Sequence, residues 1–442
     1  MIEVERKKVA VVKSGFEAQI VNLGYGARQI PFRFDPQQFR VLARHDTKSA
    51  PLTDADLHAA LDAPINSARL EQVIKPHERV VIVVPDATRA ARVDRIAPLL
   101  VERLNRHGLS DPQISFLIGG GIHRAPTTEE IYSILGPSLP GRIEVHPHDA
   151  NDATSHASLG TTARGTPVVL NRRLIEADRV IAIGAISLHY IAGFSGGRKA
   201  ILPGCAAERS IQANHLRSFD LETLEKRAGI ESGCLDGNPV HEDMLEAVEM
   251  LNPSFLINTV LDARNEIVAV YAGHWRDAHR RGCDEYLASH TVMVDERRPL
   301  VIVSAGGAPR DINLIQSHKA MEHASQVLAE GGTMIALAEC AQGLGRDDFL
   351  RWFAPGGARA TALMLADDYK INGQTAWSLR RKTERFRMLL VSALDADVVR
   401  TMGLEPHPTL ESALSVVQSQ PGYIIPGGLT TLPSLSTDYT DS

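Results

Sequence analysis

The stretch HYIAGFSGGRKAILPG, residues 189–204, concentrates groups that can do chemistry. Lys199 follows directly on Ser195-Gly196-Gly197-Arg198, with His189 ten residues before it and His215 sixteen after it. Glycine tolerates the backbone angles that turn successive N–H groups toward one centre, so Ser195, Gly196 and Gly197 predict an anion-binding nest. The lysine is not in a Walker A loop, which needs G-x-x-x-x-G-K-[ST], because Ala200 follows Lys199. Nor does a G-x-G-x-x-G fingerprint follow any strand pattern, which leaves a dinucleotide site without a motif.

Three more clusters carry chemical potential. In PDATR, Asp86 and Arg89 stand three apart on a turn. Arg89 either braces that turn through Asp86 or keeps its planar fork for a carboxylate or phosphate. In GGGIHR, Gly119 to Gly121 allow close backbone approach, and His123 follows with a side chain suited to moving protons near neutral pH. His123, His189 and His215 form a candidate metal triad, although none has H-E-x-x-H spacing. At this level three classes stand open: an acid/base enzyme, a His-dependent metallohydrolase, and a phospholigand-binding protein.

These clusters need strands and helices to hold them. RVVIVVPDATR, QISFLIGGGIHRAPT and DRVIAIGAIS each read as a buried strand running into a loop. Open α/β sheets place ligands beyond the carboxyl ends of such strands. RIAPLLVERLNRHG has helical periodicity, Thr127 and Glu130 form a capping box, and NPVHEDMLEAVEML is an amphipathic helix. FLINTVLDARNEIVAVYAG predicts a hairpin turning at Ala263-Arg264-Asn265. The Arg-rich stretch SLRRKTERFRM reads as a solvated helix face. A fresh strand, glycine loop and helix begin near RPLVIVSAGGAPRDINLIQSHK. The expected fold is therefore two α/β domains with mainly parallel sheets, 1–280 and 281–442, and an active-site cleft between them.

With 442 residues, 44% hydrophobic and 23% charged, the chain has material for two cores. A formal net charge of −6 argues against a nucleic-acid partner. No apolar run approaches the roughly 18 residues that span a bilayer, and MIEVERKKVAVVKSG lacks a signal-type apolar core. Cys205, Cys234, Cys283 and Cys340 show no C-x-x-C spacing, which fits a reducing cytoplasm. The closing SLSTDYTDS reads as a polar tail.

HYIAGFSGGRK followed by His215 resembles the signature of the nickel-pincer nucleotide-dependent lactate racemase family. PDATR, GGGIHR and QSHK (Gln316 to Lys319) are similar to the family's other three motifs and occur in its order, from about residue 80 to 340. The resemblance implies that Lys199 carries a pyridinium mononucleotide bearing two sulfur groups, linked through a thioamide. It implies that His215 ligates the nickel held by that group. His123 and His189 then match the acid/base histidines, and Arg89 and Lys319 match the residues that hold the substrate carboxylate. Asp86 and Gln316 are their neighbours on the cofactor side, with Ser195, Gly196 and Gly197. The implied reaction is racemisation or epimerisation of a 2-hydroxy acid by reversible hydride transfer. Separate maturation proteins make the cofactor.

This chain departs from the lactate pattern at Ile315, where the family has a tyrosine before Q-x-x-K. Arg124, Arg198 and Arg310 are extra cations near the motifs, as a second carboxylate would require. These departures point to malate or another polar 2-hydroxy acid, with lactate or an aldonate as the alternatives.

Overall fold

The computed structural model describes residues 18–44 and 50–436. The segment read for a secretory signal and the end of the polar tail lie outside them. Two six-stranded sheets organise the chain. In the first, the strands run in the order Ile267–Gly273, Phe255–Leu261, Arg179–Ala185, Val80–Pro85, Ile114–Gly119, Glu144–Pro147. All neighbours are parallel except the edge hairpin of Phe255–Leu261 with Ile267–Gly273, which turns through Asn265 as its sequence predicts. Val80–Pro85 is buried along nearly its whole length because both faces of the sheet are covered, which is why it reads as an unbroken β-branched run. On one face lie Ile96, Leu100 and Leu104 of Val93–Arg106. The other face packs on Phe194, Ile211 and Met244.

Local signals set the helices in place. Asn238 accepts from the N–H groups of Val240 and His241 at 3.1 Å each, and Pro239 opens Pro239–Leu251. The Thr127–Glu130 capping box starts Thr128–Leu135.

The second sheet runs Glu405–His407, Arg387–Val391, Leu328–Leu337, Arg298–Ser304, Gly422–Ile425, Phe39–Val41, all parallel. Its last strand comes from the beginning of the chain. The hairpin Gln19–Tyr25 with Arg28–Phe34 goes with it, packing Leu23, Tyr25, Phe32 and Phe34 on Leu300, Ile302 and Leu337. Asp311 ties that hairpin down by accepting from the Gly26 N–H at 2.7 Å. A division at 280 therefore separates the two sheets but not this amino-terminal segment, and it cuts through the helix Trp275–His290.

The Arg-rich stretch also differs from its reading as a solvated face. Ile371–Arg385 is helical, but Lys382 is buried against Glu322, Ser378 and His318, and Arg387–Val391 is a strand. The two sheets are joined through this helix. Tyr190 Oη lies 2.7 Å from Thr375 Oγ1, and Phe219 meets Trp377 edge-on. No helix among the described residues is long and apolar enough to cross a membrane.

Candidate active site

Three adjacent parallel strands, Arg179–Ala185, Val80–Pro85 and Ile114–Gly119, end side by side and deliver His189, Asp86 and His123 to one rim. The carboxylate of Asp86 is buried and accepts from Thr88 Oγ1 at 2.6 Å. Its other oxygen lies 2.6 Å from His123 Nδ1. Burial pushes the Asp86 carboxyl up, but His123, Thr88 and Arg89 outweigh it and hold it below the ordinary range. An ionised carboxylate takes the Nδ1 proton of a neutral imidazole, which leaves His123 Nε2 with a free lone pair facing away. That is the tautomer of a base.

His189 is built differently. Its Nδ1 accepts from the N–H groups of Ile191 and Ala192, at 3.3 and 3.2 Å, so the neutral ring carries its proton on Nε2. Burial first, then the charges of Lys199, Lys319 and Arg89, holds it well below the ordinary imidazole value. Its ring lies parallel to that of Tyr190, whose hydroxyl is fixed by Thr375 of the second sheet's helix.

Lys199 sits on the short helical turn Gly197–Ala200. Burial, then Arg198, Arg89 and Lys319, holds its amine well below the usual lysine value. The unprotonated form of such an amine is a nucleophile. His215, on Glu208–Leu216, is 5% exposed and donates Nδ1–H to the Ile211 carbonyl at 2.8 Å, which leaves Nε2 as a lone pair. Burial, then Lys199, lowers it to about 3, so it stays a neutral imidazole across the physiological range. Lys319 comes from the other sheet, on Leu314–Ser325, and donates to Gln316 Oε1 at 2.6 Å. Burial and then Arg89 holds it well below its ordinary value.

The structure thus gathers His189, His215, Lys199, Lys319 and Arg89 closely enough for their charges to act on one another. Asp86 and Gln316 stand beside them as props for His123 and Lys319. The local Asp86–Arg89 brace does not form as an ion pair: Asp86 is taken by His123 and Thr88, and Arg89 is left exposed toward the rim.

Two expectations need correction. Of the three N–H groups in the expected nest at Ser195, Gly196 and Gly197, two are taken: Ser195 N–H goes to Ser187 O at 2.8 Å and Gly197 N–H to Asn258 Oδ1 at 3.0 Å. The glycines are there for fit. A Cβ on Gly197, at φ +53°, would stand 2.4 Å from the His279 ring. The extra cations are also committed elsewhere. Arg124 grips Glu130 with both its terminal nitrogens, Arg198 is 1% exposed beneath the loop, and Arg310 reaches the Asp262 carbonyl. Asn258 and His279, which hold the lysine turn from below, were not singled out by sequence. A lone Asn inside the apolar strand FLINTVL was the available signal.

The donor set also tests the metal. Among the described residues no group of three His, Cys, Asp or Glu side chains is placed to hold an ion, so His123, His189 and His215 do not form a triad. One buried neutral imidazole beside one nucleophilic amine fits a metal whose other donors come from a group attached at Lys199.

Two imidazoles at neighbouring strand ends, with Arg89 and two buried lysine amines, are groups suited to moving protons and holding a small anion. Comparison with known proteins gives the family. Residues 25–225 match the model of the lactate racemase N-terminal domain, and 294–429 that of the lactate racemase C-terminal domain. A curated lactate racemase of Thermoanaerobacterium thermosaccharolyticum is 31% identical over 408 residues, 90% of this chain and 94% of that one. A lactate racemase of Lactiplantibacillus plantarum is 31% identical over 423 residues, 92% of this chain and 98% of the relative. The solved lactate racemase apoprotein of T. thermosaccharolyticum superposes with a TM-score of 0.86 at 29% identity, covering 94% of this chain and all of that one. A Thermotoga maritima protein at 22% identity and TM-score 0.67 shares the fold over 89% of this chain and all of its own. The chain belongs to the lactate racemase family, whose curated members are isomerases acting on a 2-hydroxy acid.

Proposed function

We propose that the chain interconverts the stereoisomers of a small 2-hydroxy acid, with the α-hydrogen moved as hydride. The observation that carries this reading is the pair of histidines: His123 based on Asp86, and His189 on backbone N–H groups close to Arg89, Lys319 and Lys199. Removing the α-hydrogen as a proton would leave a carbanion beside an ionised carboxylate. Hydride removal avoids that anion and leaves a 2-keto acid.

Lys199 is the attachment point for the pyridinium mononucleotide and His215 its nickel ligand, as their neutral nitrogens suit. When bound, that group supplies an electrophilic carbon that accepts hydrogen with both electrons. The remaining work is done by side chains of this chain. Arg89 and Lys319 hold the substrate carboxylate, and Gln316 aims the lysine. His123 Nε2 takes the hydroxyl proton of one stereoisomer, and Asp86 stabilises the imidazolium that results. His189 serves the other, whose hydroxyl lies on the opposite side when the carboxylate and α-hydrogen keep their places: with Nδ1 on the Ile191 and Ala192 N–H groups it offers Nε2–H to the substrate oxygen, and to act as base its ring must carry the proton on Nδ1 instead and give up those two contacts.

The substrate reading is a compact 2-hydroxy carboxylate. Malate is its polar form, a reading that rests on the departure at Ile315, since Arg124, Arg198 and Arg310 are each engaged elsewhere. Lactate and aldonates are the comparisons. Separate maturation proteins supply the cofactor, and four free cysteines suit a reducing cytoplasm. The test is chiral analysis of lactate, malate and aldonates incubated with protein co-expressed with such maturation proteins and nickel. Racemisation of one of them is expected. Inversion of none by protein carrying the cofactor would reject the reading.

A further inference from the structure

Arg198 is the most unusual charged residue in the fold. It is 1% exposed, and among the described residues no carboxylate acts on it: burial lowers it to about 10, against a small opposing pull from the Cys283 thiol. Its Nη2 donates to the Ala192 carbonyl at 2.6 Å, and Nη1 lies 3.0 Å from His279 Nε2. Nε has no partner. His279 is held near 3 by burial and then by Arg198, so its ring is neutral, and its Nε2 lies 3.0 Å from both the guanidinium and the Ser195 carbonyl. The ring belongs to Trp275–His290 and presses on Gly197, which fixes the turn from one side. His241, with Nδ1 unpartnered, is likewise kept neutral by burial and by Arg198. A buried cation without a counter-ion is expensive and is expected only where its field or its fork is used. Tyr, Met or Leu could fill the same volume. None of them would place a positive charge next in sequence to Lys199.

We infer that Arg198 is a positioning residue: it clamps the lysine turn to Ala192 and His279 and sets a buried guanidinium, with no carboxylate beside it among the described residues, next to the Lys199 amine, favouring its nucleophilic form. After burial, Arg198 is the largest influence on that amine, ahead of Arg89 and Lys319. The other titratable groups around Lys199 are His189 and His215, both held neutral, so no carboxylate opposes the effect. In attachment the Nζ lone pair forms an N–C bond to an activated thiocarboxyl carbon. That carbon's leaving group departs with its bonding pair and an Nζ proton, and no atom changes oxidation state. A protonated lysine has no lone pair for this step. The inference rests on Lys199 being the attachment point.

The test uses the full chain made without maturation proteins, trace-labelled with acetic anhydride from pH 5 to 11, with Lys199 and Lys319 peptides quantified by mass spectrometry. Lys199 is expected to label with a midpoint well below that of surface lysines. Arg198→Met should raise that midpoint by roughly 1 pH unit or more, while leaving Lys319, on which Arg198 does not act, in place. Arg89→Met should move both. If Arg198→Met does not fold, His279→Glu sets a carboxylate against the guanidinium and should raise the Lys199 midpoint in its stead. A Lys199 midpoint like that of surface lysines, or one unmoved in the folded variant, overturns the inference. A low midpoint that moves as expected, in a chain whose Lys199 never receives cofactor, would leave the electrostatics intact and remove only the proposed attachment.

Discussion

Replacing Asp86 by Asn removes the charge behind His123 while keeping the shape of the turn. The wild-type contact is 2.6 Å, and the carboxylate is 6% exposed, so little water screens it. The carboxylate matters most when His123 has taken the hydroxyl proton and become an imidazolium. A hydrogen bond to a charged group contributes about 1.5–3 kcal/mol. Losing it should lower kcat/KM by roughly tenfold to roughly a hundredfold. Two stereoisomers of a racemised acid are equal in free energy, so kcat/KM must fall by the same factor in both directions, even though His123 is the base in only one. The assay is initial-rate chiral chromatography from each pure enantiomer, with the cofactor on Lys199 quantified in the same sample. Asp86→Asn protein with full loading and unchanged kcat/KM would refute the assignment of His123 as an Asp86-supported base.

Other consequences concern stability. His148, His279 and His318 are almost fully buried and held at about 4, about 3 and about 3, with burial the largest cause in each. Their folded values lie below the unfolded value of about 6.5, so the unfolded chain binds more protons as pH falls from there. Each then removes about 1.4 kcal/mol of stability per pH unit between about 6.5 and its folded value. Depressed carboxylates such as Asp86 and Glu78 begin to act only below their own unfolded values. Tm should therefore drop steadily from pH 7 to 5 in thermal melts, and a flat profile over that range would contradict the burial of neutral imidazoles. Tyr190→Phe breaks the hydroxyl contact to Thr375 across the two sheets and should cost about 1 kcal/mol in denaturant unfolding. Thr375→Val should cost a similar amount, and the double variant no more than either single one; additive losses would show that the two hydroxyls are not partners.

Much of the site was legible because each motif follows a strand that reads clearly by itself. Val80–Pro85, Ile114–Gly119 and Arg179–Ala185 are short apolar runs that stop at Asp86, Gly120 and Ser187, and parallel strands put such stops on one edge. Periodicity does not report side-chain partners. Asp86 and Arg89 look like a pair three residues apart, yet the carboxylate turns to His123 on the next loop. The glycines at 196 and 197 look like donors for an anion, yet they make room for Asn258 and His279 from distant elements. The Phe39–Val41 strand was equally out of reach, since its pairing with Gly422–Ile425 depends on the last part of the chain. Local pattern predicts elements, and only the fold decides which of them meet.

The central claim is that Lys199 is a cofactor-bearing amine. It is tested most directly by intact and peptide mass spectrometry on protein co-expressed with nickel-pincer maturation proteins, with nickel measured in the same sample. A cofactor-sized increment on the Lys199 peptide, absent from Lys319, together with bound nickel, is the expected result. An unmodified Lys199, in a preparation where a lactate racemase control is loaded, would contradict the account.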